Sequence, residues 1–137
     1  MNVKRLVLTI IVVFVVAYFT GFFIHAIWLR PDYMLASNLY RPEGQEKMVF
    51  IMLAYLAFAI GSVWVYAKGV ENKPWLGQGV RFGVAVFLIL TVPSFFIAYA
   101  VQPIPWLLFV KQVICEGVDK IVLGIITALL YRPSPGG

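Results

Sequence analysis

The sequence predicts an all-α, polytopic membrane protein whose four transmembrane helices form an antiparallel bundle. Hydrophobic residues make up 62% of the 137-residue chain and aromatic residues 16%, and the mean hydropathy of +0.92 is far above that of a soluble domain. Three apolar stretches reach the roughly 20 residues that a spanning helix needs, with no charged side chain apart from one histidine. A fourth stretch reaches that length only if a charged segment is included. We therefore expect one membrane domain over residues 1–137.

The first predicted helix covers residues 4–29. Lys4 and Arg5 precede its apolar run, as they would in a signal peptide. However, the run is longer than an h-region of about 7 to 15 residues, and no small-residue cleavage motif follows it. We expect a retained helix, followed by an outer loop at residues 30–45. Pro31 and Asp32 favour a short helix there, lying in the membrane interface.

The remaining predicted helices cover residues 46–68, 78–101 and 105–131. Pro93 interrupts the third helix and removes a backbone donor, so a kink is expected there. The stretch from Gln102 to Pro105 leaves so short a turn that the third and fourth helices must be antiparallel neighbours. The fourth helix contains the charged segment "KQVICEGVDK" at residues 111–120.

Polar side chains of the fourth helix share one face. At 100° per residue, Gln112, Glu116, Asp119 and Lys120 fall within an arc of about 100°. Glu116 and Lys120 have the favourable acid-before-base spacing of four residues, which leaves Asp119 as the spare acid. Ionising or protonating a buried acid costs a similar few kcal/mol. A structural salt bridge is the favoured interpretation, and a protonatable carboxyl pair remains open.

His25 is the only histidine and is predicted to face protein, because it continues a small-residue stripe in steps of four after Ala17 and Gly21. A hydrogen-bonded packing residue is the favoured interpretation, while a proton relay or a quinone-headgroup ligand stays open. The candidate intramembrane polar site therefore comprises His25, Gln112, Glu116, Asp119 and Lys120. Lys111 lies nearer the outer end and is expected to extend to the membrane surface without a chemical role.

Each predicted helix carries small residues four positions apart, which let helix backbones approach closely. The predicted helix-packing residues are Ala17, Gly21, Ala57, Gly61, Gly79, Gly83, Gly117, Gly124 and Ala128.

Several classes of site are excluded by composition. The net charge of +5 is spread along the chain, so no nucleic-acid partner is expected. Cys115 is the only cysteine and is interpreted as a small buried hydrophobic residue. Without paired cysteines or histidines, no intrachain disulfide, metal site or haem is expected. We predict no cofactor and no catalytic residue.

The distribution of cations predicts the orientation. With a cytoplasmic amino terminus, six cations fall inside and three outside. The inside set is Lys4, Arg5, Lys68, Lys73, Arg81 and Arg132, and the outside set is Arg30, Arg41 and Lys47. This bias favours a multi-pass protein of the cell (inner) membrane with both termini in the cytoplasm.

Three short motifs carry a resemblance to known proteins. The amino-terminal "VKRLVL", the "QPIP" turn and the terminal "LYRP" after a charged fourth helix are similar to those of small, four-helix bacterial membrane proteins of uncharacterised function. The resemblance implies the architecture and implies no activity.

Three classes of function remain. The leading hypothesis is a non-enzymatic integral membrane protein that acts through helix packing, as a homo-oligomer or as an accessory subunit of a membrane complex. The alternative is a small proton-linked carrier or ion pathway that uses the acid and lysine cluster. A lipid-modifying enzyme ranks last, because the sequence offers no nucleophile with a nearby base, no metal motif and no phosphate-binding loop.

Overall fold

The computed structural model describes residues 1–132, and every regular element in that range is a helix. The five α-helices are α1 at Val3–Trp28, α2 at Arg30–Leu35, α3 at Met48–Gly69, α4 at Trp75–Val101 and α5 at Trp106–Leu130. A single 3₁₀ turn at Ser37–Leu39 follows α2. The prediction of an all-α protein is confirmed. The carboxy terminus, which was predicted to be cytoplasmic, lies outside the described residues.

Three of these helices are long and apolar enough to cross a membrane, judged by length and composition. They are α1, α3 and α4, with hydropathies of 2.7, 2.3 and 2.4 over their most apolar segments. Only 22%, 11% and 6% of the residues in those segments are buried within the chain. So large an apolar exposed surface is what lipid, not water, accommodates. The fold is therefore that of a membrane protein. α5 is equally long, at 25 residues, but carries four charged side chains.

Two of the apolar helices contain a widened turn. α1 changes from α-helix to π-helix at Phe23 and keeps that geometry to Trp28. α4 contains a π-helical segment at Phe87–Thr91, directly before the turn that holds Pro93. Pro93 has no N–H to donate, and the neighbouring Ser94 hydroxyl donates to the Leu90 carbonyl at 2.6 Å. The predicted interruption at Pro93 thus lies beside a locally wider helix.

α4 and α5 form the most extensive interface, and they run antiparallel. Their backbones meet at glycines, where Gly79 and Gly83 of α4 lie against Gly124 of α5. A Cβ atom added at Gly83 would lie 2.6 Å from both the Ile121 Cα and the Lys120 carbonyl oxygen. Only glycine permits this approach. α4 begins at Trp75, ahead of the predicted start at residue 78, because Pro74 occupies the position before the first helical residue.

α1 packs antiparallel against both α3 and α5. Near the middle of α1, Val13 is fully buried against Ala59 and Val63 of α3. At its amino-terminal end, the Asn2 backbone N–H donates to the Tyr131 hydroxyl at 3.2 Å, and Arg5 donates to the Arg132 carbonyl at 2.6 Å. The start of α1 and the end of α5 therefore lie at the same end of the protein. Eleven residues of α5 are buried, which makes it the central helix.

Candidate functional site

The polar site is centred on the carboxylate of Glu116, in the middle of α5. One oxygen, Oε1, lies 2.6 Å from Nε2 of His25 on α1. The other oxygen, Oε2, accepts a hydrogen bond of 2.6 Å from Nζ of Lys120. Glu116 is only 7% exposed. Each carboxylate oxygen therefore has its own donor, as a buried acid requires.

Lys120 links the two acids of α5. Its Nζ lies 3.6 Å from Oδ2 of Asp119, in addition to its shorter contact with Glu116. The same ammonium lies 5.3 Å from the centre of the Phe58 ring of α3, a cation–π distance. Lys120 and Asp119 are 7% and 5% exposed. The cation is thus enclosed by two carboxylates and an aromatic face.

On the other side of His25, the site continues to Tyr33 in α2. The Tyr33 hydroxyl lies 2.6 Å from Nδ1 of His25 and accepts from Nε2 of Gln112 at 2.8 Å. Burial raises the pKa of Tyr33 well above its usual value, so the hydroxyl keeps its proton. Gln112 donates to the phenolic oxygen, and the two ring nitrogens of His25 contact the Tyr33 hydroxyl on one side and the Glu116 carboxylate on the other. A hydrogen-bonded chain consequently runs from Tyr33 through His25 and Glu116 to Lys120.

The short helix α2 is held in place by ion pairs. Lys111 Nζ contacts both carboxylate oxygens of Asp32, at 3.0 and 3.1 Å. Arg30 makes a two-point contact with Glu43, at 2.8 and 3.1 Å. Lys111 therefore does more than extend to the surface, because it fastens α2 to α5 and keeps Tyr33 over the polar site. The π-helical end of α1 supplies His25 from the opposite side.

The five residues predicted as a polar site lie together. His25, Glu116, Lys120 and Asp119 are in direct succession, and Gln112 joins them through Tyr33. Sequence reasoning did not include Tyr33 in the site. The signal that could have found it is its place in a predicted interfacial helix eight residues after His25. Periodicity within one helix could not, since the contact joins separate helices.

The predicted packing residues fall into two groups. The first group is in contact inside the chain: Ala17, Gly79, Gly83, Gly124 and Ala128 are buried at interfaces, Gly117 meets the Phe87 ring, and Gly21 meets the Tyr55 hydroxyl. The second group consists of Ala57 and Gly61 of α3. Ala57 is exposed, and a Cβ added at Gly61 would have no atom within 4 Å. That pair faces away from the other helices.

A groove of about 550 Å³ lies between α1 and α5 beside the polar site. Its walls are almost wholly apolar, with Phe19, Phe23 and Trp28 from α1 and Ile114 and Val122 from α5. Asp119 contributes a carboxylate to this groove, and Thr20 contributes a hydroxyl group. Cys115, expected to be buried, is partly exposed along the same groove. The groove gives Asp119 the nearest access from outside.

Within residues 1–132, no three histidine, cysteine, aspartate or glutamate side chains are grouped so as to hold a metal ion. The five predicted residues and Tyr33 are joined by hydrogen bonds and ion pairs. No model of a known protein family matches the chain, and neither a curated protein nor a solved structure matches it.

Proposed function

We propose that this chain is a non-enzymatic integral membrane protein that acts through helix packing, as a homo-oligomer or an accessory subunit of a membrane complex. We further propose four spans in an antiparallel bundle, placed in the cell (inner) membrane with both ends in the cytoplasm. The length of α5 supports the fourth span, since its 25 residues extend about 38 Å. Its central charges, Glu116, Asp119 and Lys120, are buried against α1 and α3, so they need not meet lipid.

The pairing of the charges supports a structural role for the polar site. Glu116 and Lys120 satisfy each other, and His25 and Tyr33 extend the bonds to α1 and α2. Beyond Lys120, the same side of α5 continues with buried Leu123, and the Thr127 hydroxyl donates back to the Leu123 carbonyl. The connected polar side chains of α5 therefore end at Lys120 in the direction of the helix carboxy terminus. Such a network fixes the relative position of three helices.

One observation carries the packing function: α3 directs Ala57 and Gly61 outward, on a helix whose most apolar segment is only 11% buried. Within membranes, small residues four apart let another helix approach closely. Elsewhere in this chain the same spacing is used for helix contact, at Gly79 and Gly83. We infer that the face of α3 defined by Ala57 and Gly61 binds a helix from a second copy or from another membrane subunit.

The test replaces Gly61 by leucine and measures oligomer size in mild detergent, together with co-purified membrane proteins. Gly61→Leu should reduce association without lowering thermal stability, because a Cβ added at Gly61 has no atom within 4 Å and leucine has a higher helix propensity than glycine. The control is Ala100→Leu, which adds the same kind of bulk at an exposed position of α4. Equal association for Gly61→Leu, Ala100→Leu and the unmodified protein would contradict the proposal.

A second candidate is a small proton-linked carrier or ion pathway. The specific observation in its favour is the position of Asp119. The hydrogen-bonded chain begins at Tyr33 and reaches Lys120, and the ammonium of Lys120 pairs with Asp119. Asp119 lines the groove beside Thr20. A carboxyl that exchanges protons there would make transport depend on pH. Asp119→Asn should then abolish pH-driven flux in proteoliposomes and leave folding intact. Flux equal to that of empty liposomes, in both the variant and the unmodified protein, would exclude this candidate.

A further inference from the structure

A second pocket, of about 470 Å³, lies away from the polar site, between the end of α3 and the start of α4. Its polar lining consists of Tyr66, Glu71, Lys73, Gln78 and Arg81. Since α3 and α4 are both long and apolar enough to span, a pocket at their joined ends lies at the level of lipid headgroups.

The loop that closes this pocket is fixed by one buried side chain. The Gln78 amide oxygen accepts from the Glu71 backbone N–H at 2.9 Å, and its amide nitrogen donates to the carbonyls of Glu71 and Lys73, at 2.8 and 2.9 Å. The pocket is consequently held in shape without a ligand, which lowers the cost of binding one.

The amino-terminal turn of α4 has no side-chain cap, and it leads directly into Gln78, Arg81 and Phe82, which line this pocket. Pro74 precedes the turn, which contains no acid. The exposed N–H groups of such a turn attract anions. Arg81 folds back toward this turn, since its Nη1 lies 3.4 Å from where a Cβ at Gly77 would be. Among residues 1–132, Arg81 has no ion-pair partner.

An independent observation points to a missing partner in the same pocket. Tyr66 is 5% exposed, and its hydroxyl is buried with no hydrogen-bond partner in the described residues. A buried hydroxyl without a partner is costly, and most buried tyrosines have one. The Tyr66 hydroxyl is thus a free donor at the wall of a cationic pocket.

The surface around the pocket is positively charged, which favours an anionic ligand. Six cations lie at this end of the protein: Lys4, Arg5, Lys68, Lys73, Arg81 and Arg132. The only acid in that part of the chain is Glu71, which pairs with Lys73. The hydrogen bond from Lys73 lowers the pKa of Glu71, so the pair stays ionised and neutralises itself. Arg81 also acts on Glu71, and with one acid and two cations the pocket lining carries one net positive charge.

We propose that this pocket binds a phosphate group, and that anionic phospholipid supplies it. The Arg81 guanidinium and the first-turn N–H groups of α4 hold the phosphate oxygens, and the Tyr66 hydroxyl donates a further hydrogen bond. A phosphodiester carries one negative charge, which Arg81 balances. The lipid tails then lie along the apolar exposed faces of α3 and α4. The proposal is independent of the association through α3.

The test measures lipid binding to the purified full chain by native mass spectrometry, with phosphatidylglycerol, phosphatidylcholine and inorganic phosphate as separate probes. Arg81→Gln should weaken phosphatidylglycerol binding about tenfold or more, as expected for a lost charge-assisted hydrogen bond. Tyr66→Phe should weaken it severalfold and leave the lipid-free thermal stability unchanged or higher, because it removes an unpartnered donor. Lys4→Gln is the matched control, with the same charge change at the same end but outside the pocket.

The outcomes separate the sources of phosphate. Tighter binding of phosphatidylglycerol than of phosphatidylcholine, lost in Arg81→Gln and kept in Lys4→Gln, supports a lipid headgroup. Inorganic phosphate that binds through the same residues, without lipid retention, supports the phosphate chemistry and overturns the lipid source. Equal weakening in Arg81→Gln and Lys4→Gln would show general attraction to a basic surface, and the pocket would be rejected as a site.

Discussion

At the scale of residues, Glu116 is the side chain on which the polar site depends. Its two oxygens receive different donors, His25 from α1 and Lys120 from its own helix. Removing either partner of a buried ion pair leaves an uncompensated charge, whereas removing both leaves only a change of shape. The energetic role of the pair can therefore be measured by a double-mutant cycle.

We expect Lys120→Met to lower the free energy of unfolding by about 3 kcal/mol or more, because it removes the cation that both buried carboxylates contact. Glu116→Gln should cost less, since Lys120 keeps its contact of 3.6 Å with Asp119. The double variant should lose less than the two single variants added together, because the contact between Glu116 and Lys120 is lost only once. Unfolding in detergent provides the measurement. Lys73→Met serves as a control, since both side chains of the Lys73–Glu71 ion pair are 58% exposed and such a pair contributes little. Losses that simply add in the double variant would show that the two side chains do not act as a pair.

At the scale of elements, small residues four positions apart lie in a helix contact on α4 but face away from the other helices on α3. Gly83 of α4 touches the backbone of α5, whereas Gly61 of α3 meets no atom of its own chain within 4 Å. A spacing of four identifies a face of a helix but not the neighbour that covers it. The difference arises because α4 and α5 are joined by a short turn, while α3 is packed mainly on α1.

Alanine at these two glycines should therefore give effects of opposite sign. At Gly83 the new Cβ would lie 2.6 Å from backbone atoms of α5, so the helices must separate, and we expect a loss of about 2 kcal/mol or more. At Gly61 the same change should stabilise the isolated chain by about 0.5 to 1 kcal/mol through helix propensity. Thermal unfolding of the two variants in detergent checks this. Destabilisation of similar size at both sites would contradict the packing described for α3.

The sequence predicted some of the site because one helix carries most of it. Glu116, Asp119 and Lys120 share a face by the geometry of α5 alone. Phe58 and the outward direction of Gly61 were beyond reach, since each depends on how separate helices pack. Tyr33 was marked only by its place in the interfacial helix after His25. The π-helical end of α1 was also unforeseen, because no proline or other known interrupter marks residues 23–28.

At the scale of the whole molecule, the least buried helices are the apolar ones and the most buried helix is the charged one. α5 has eleven buried residues, and the second half of α4, Val92–Val101, has none. This inverts the arrangement of a soluble protein and fits a solvent of lipid. The contacts of Asn2 with Tyr131 and of Arg5 with Arg132 bring the start of α1 and the end of α5 together.

The proposed topology makes a prediction about position relative to the membrane. Reporter fusions at residue 137 and within residues 70–74 should both report the cytoplasm, and a fusion at Asn38 the opposite side. The reason is the excess of cations at the cytoplasmic end. A fusion after Gln102 should agree with Asn38. If it agrees with residues 70–74 instead, α4 does not cross the membrane and the four-span proposal is wrong. If residue 137 agrees with Asn38, α5 does not cross.

The order of the helices along the chain bears on how the protein enters the membrane. α5, with its ionised side chains, is synthesised after the helices that cover them, and α4 immediately before it fits α5 backbone to backbone. On the proposed topology, Glu116 and Lys120 leave the insertion machinery when His25 and Phe58 are already in the bilayer. Moving the coding segment for α5 ahead of α1 would deprive the charges of these partners at insertion, although every residue of the final protein would be the same.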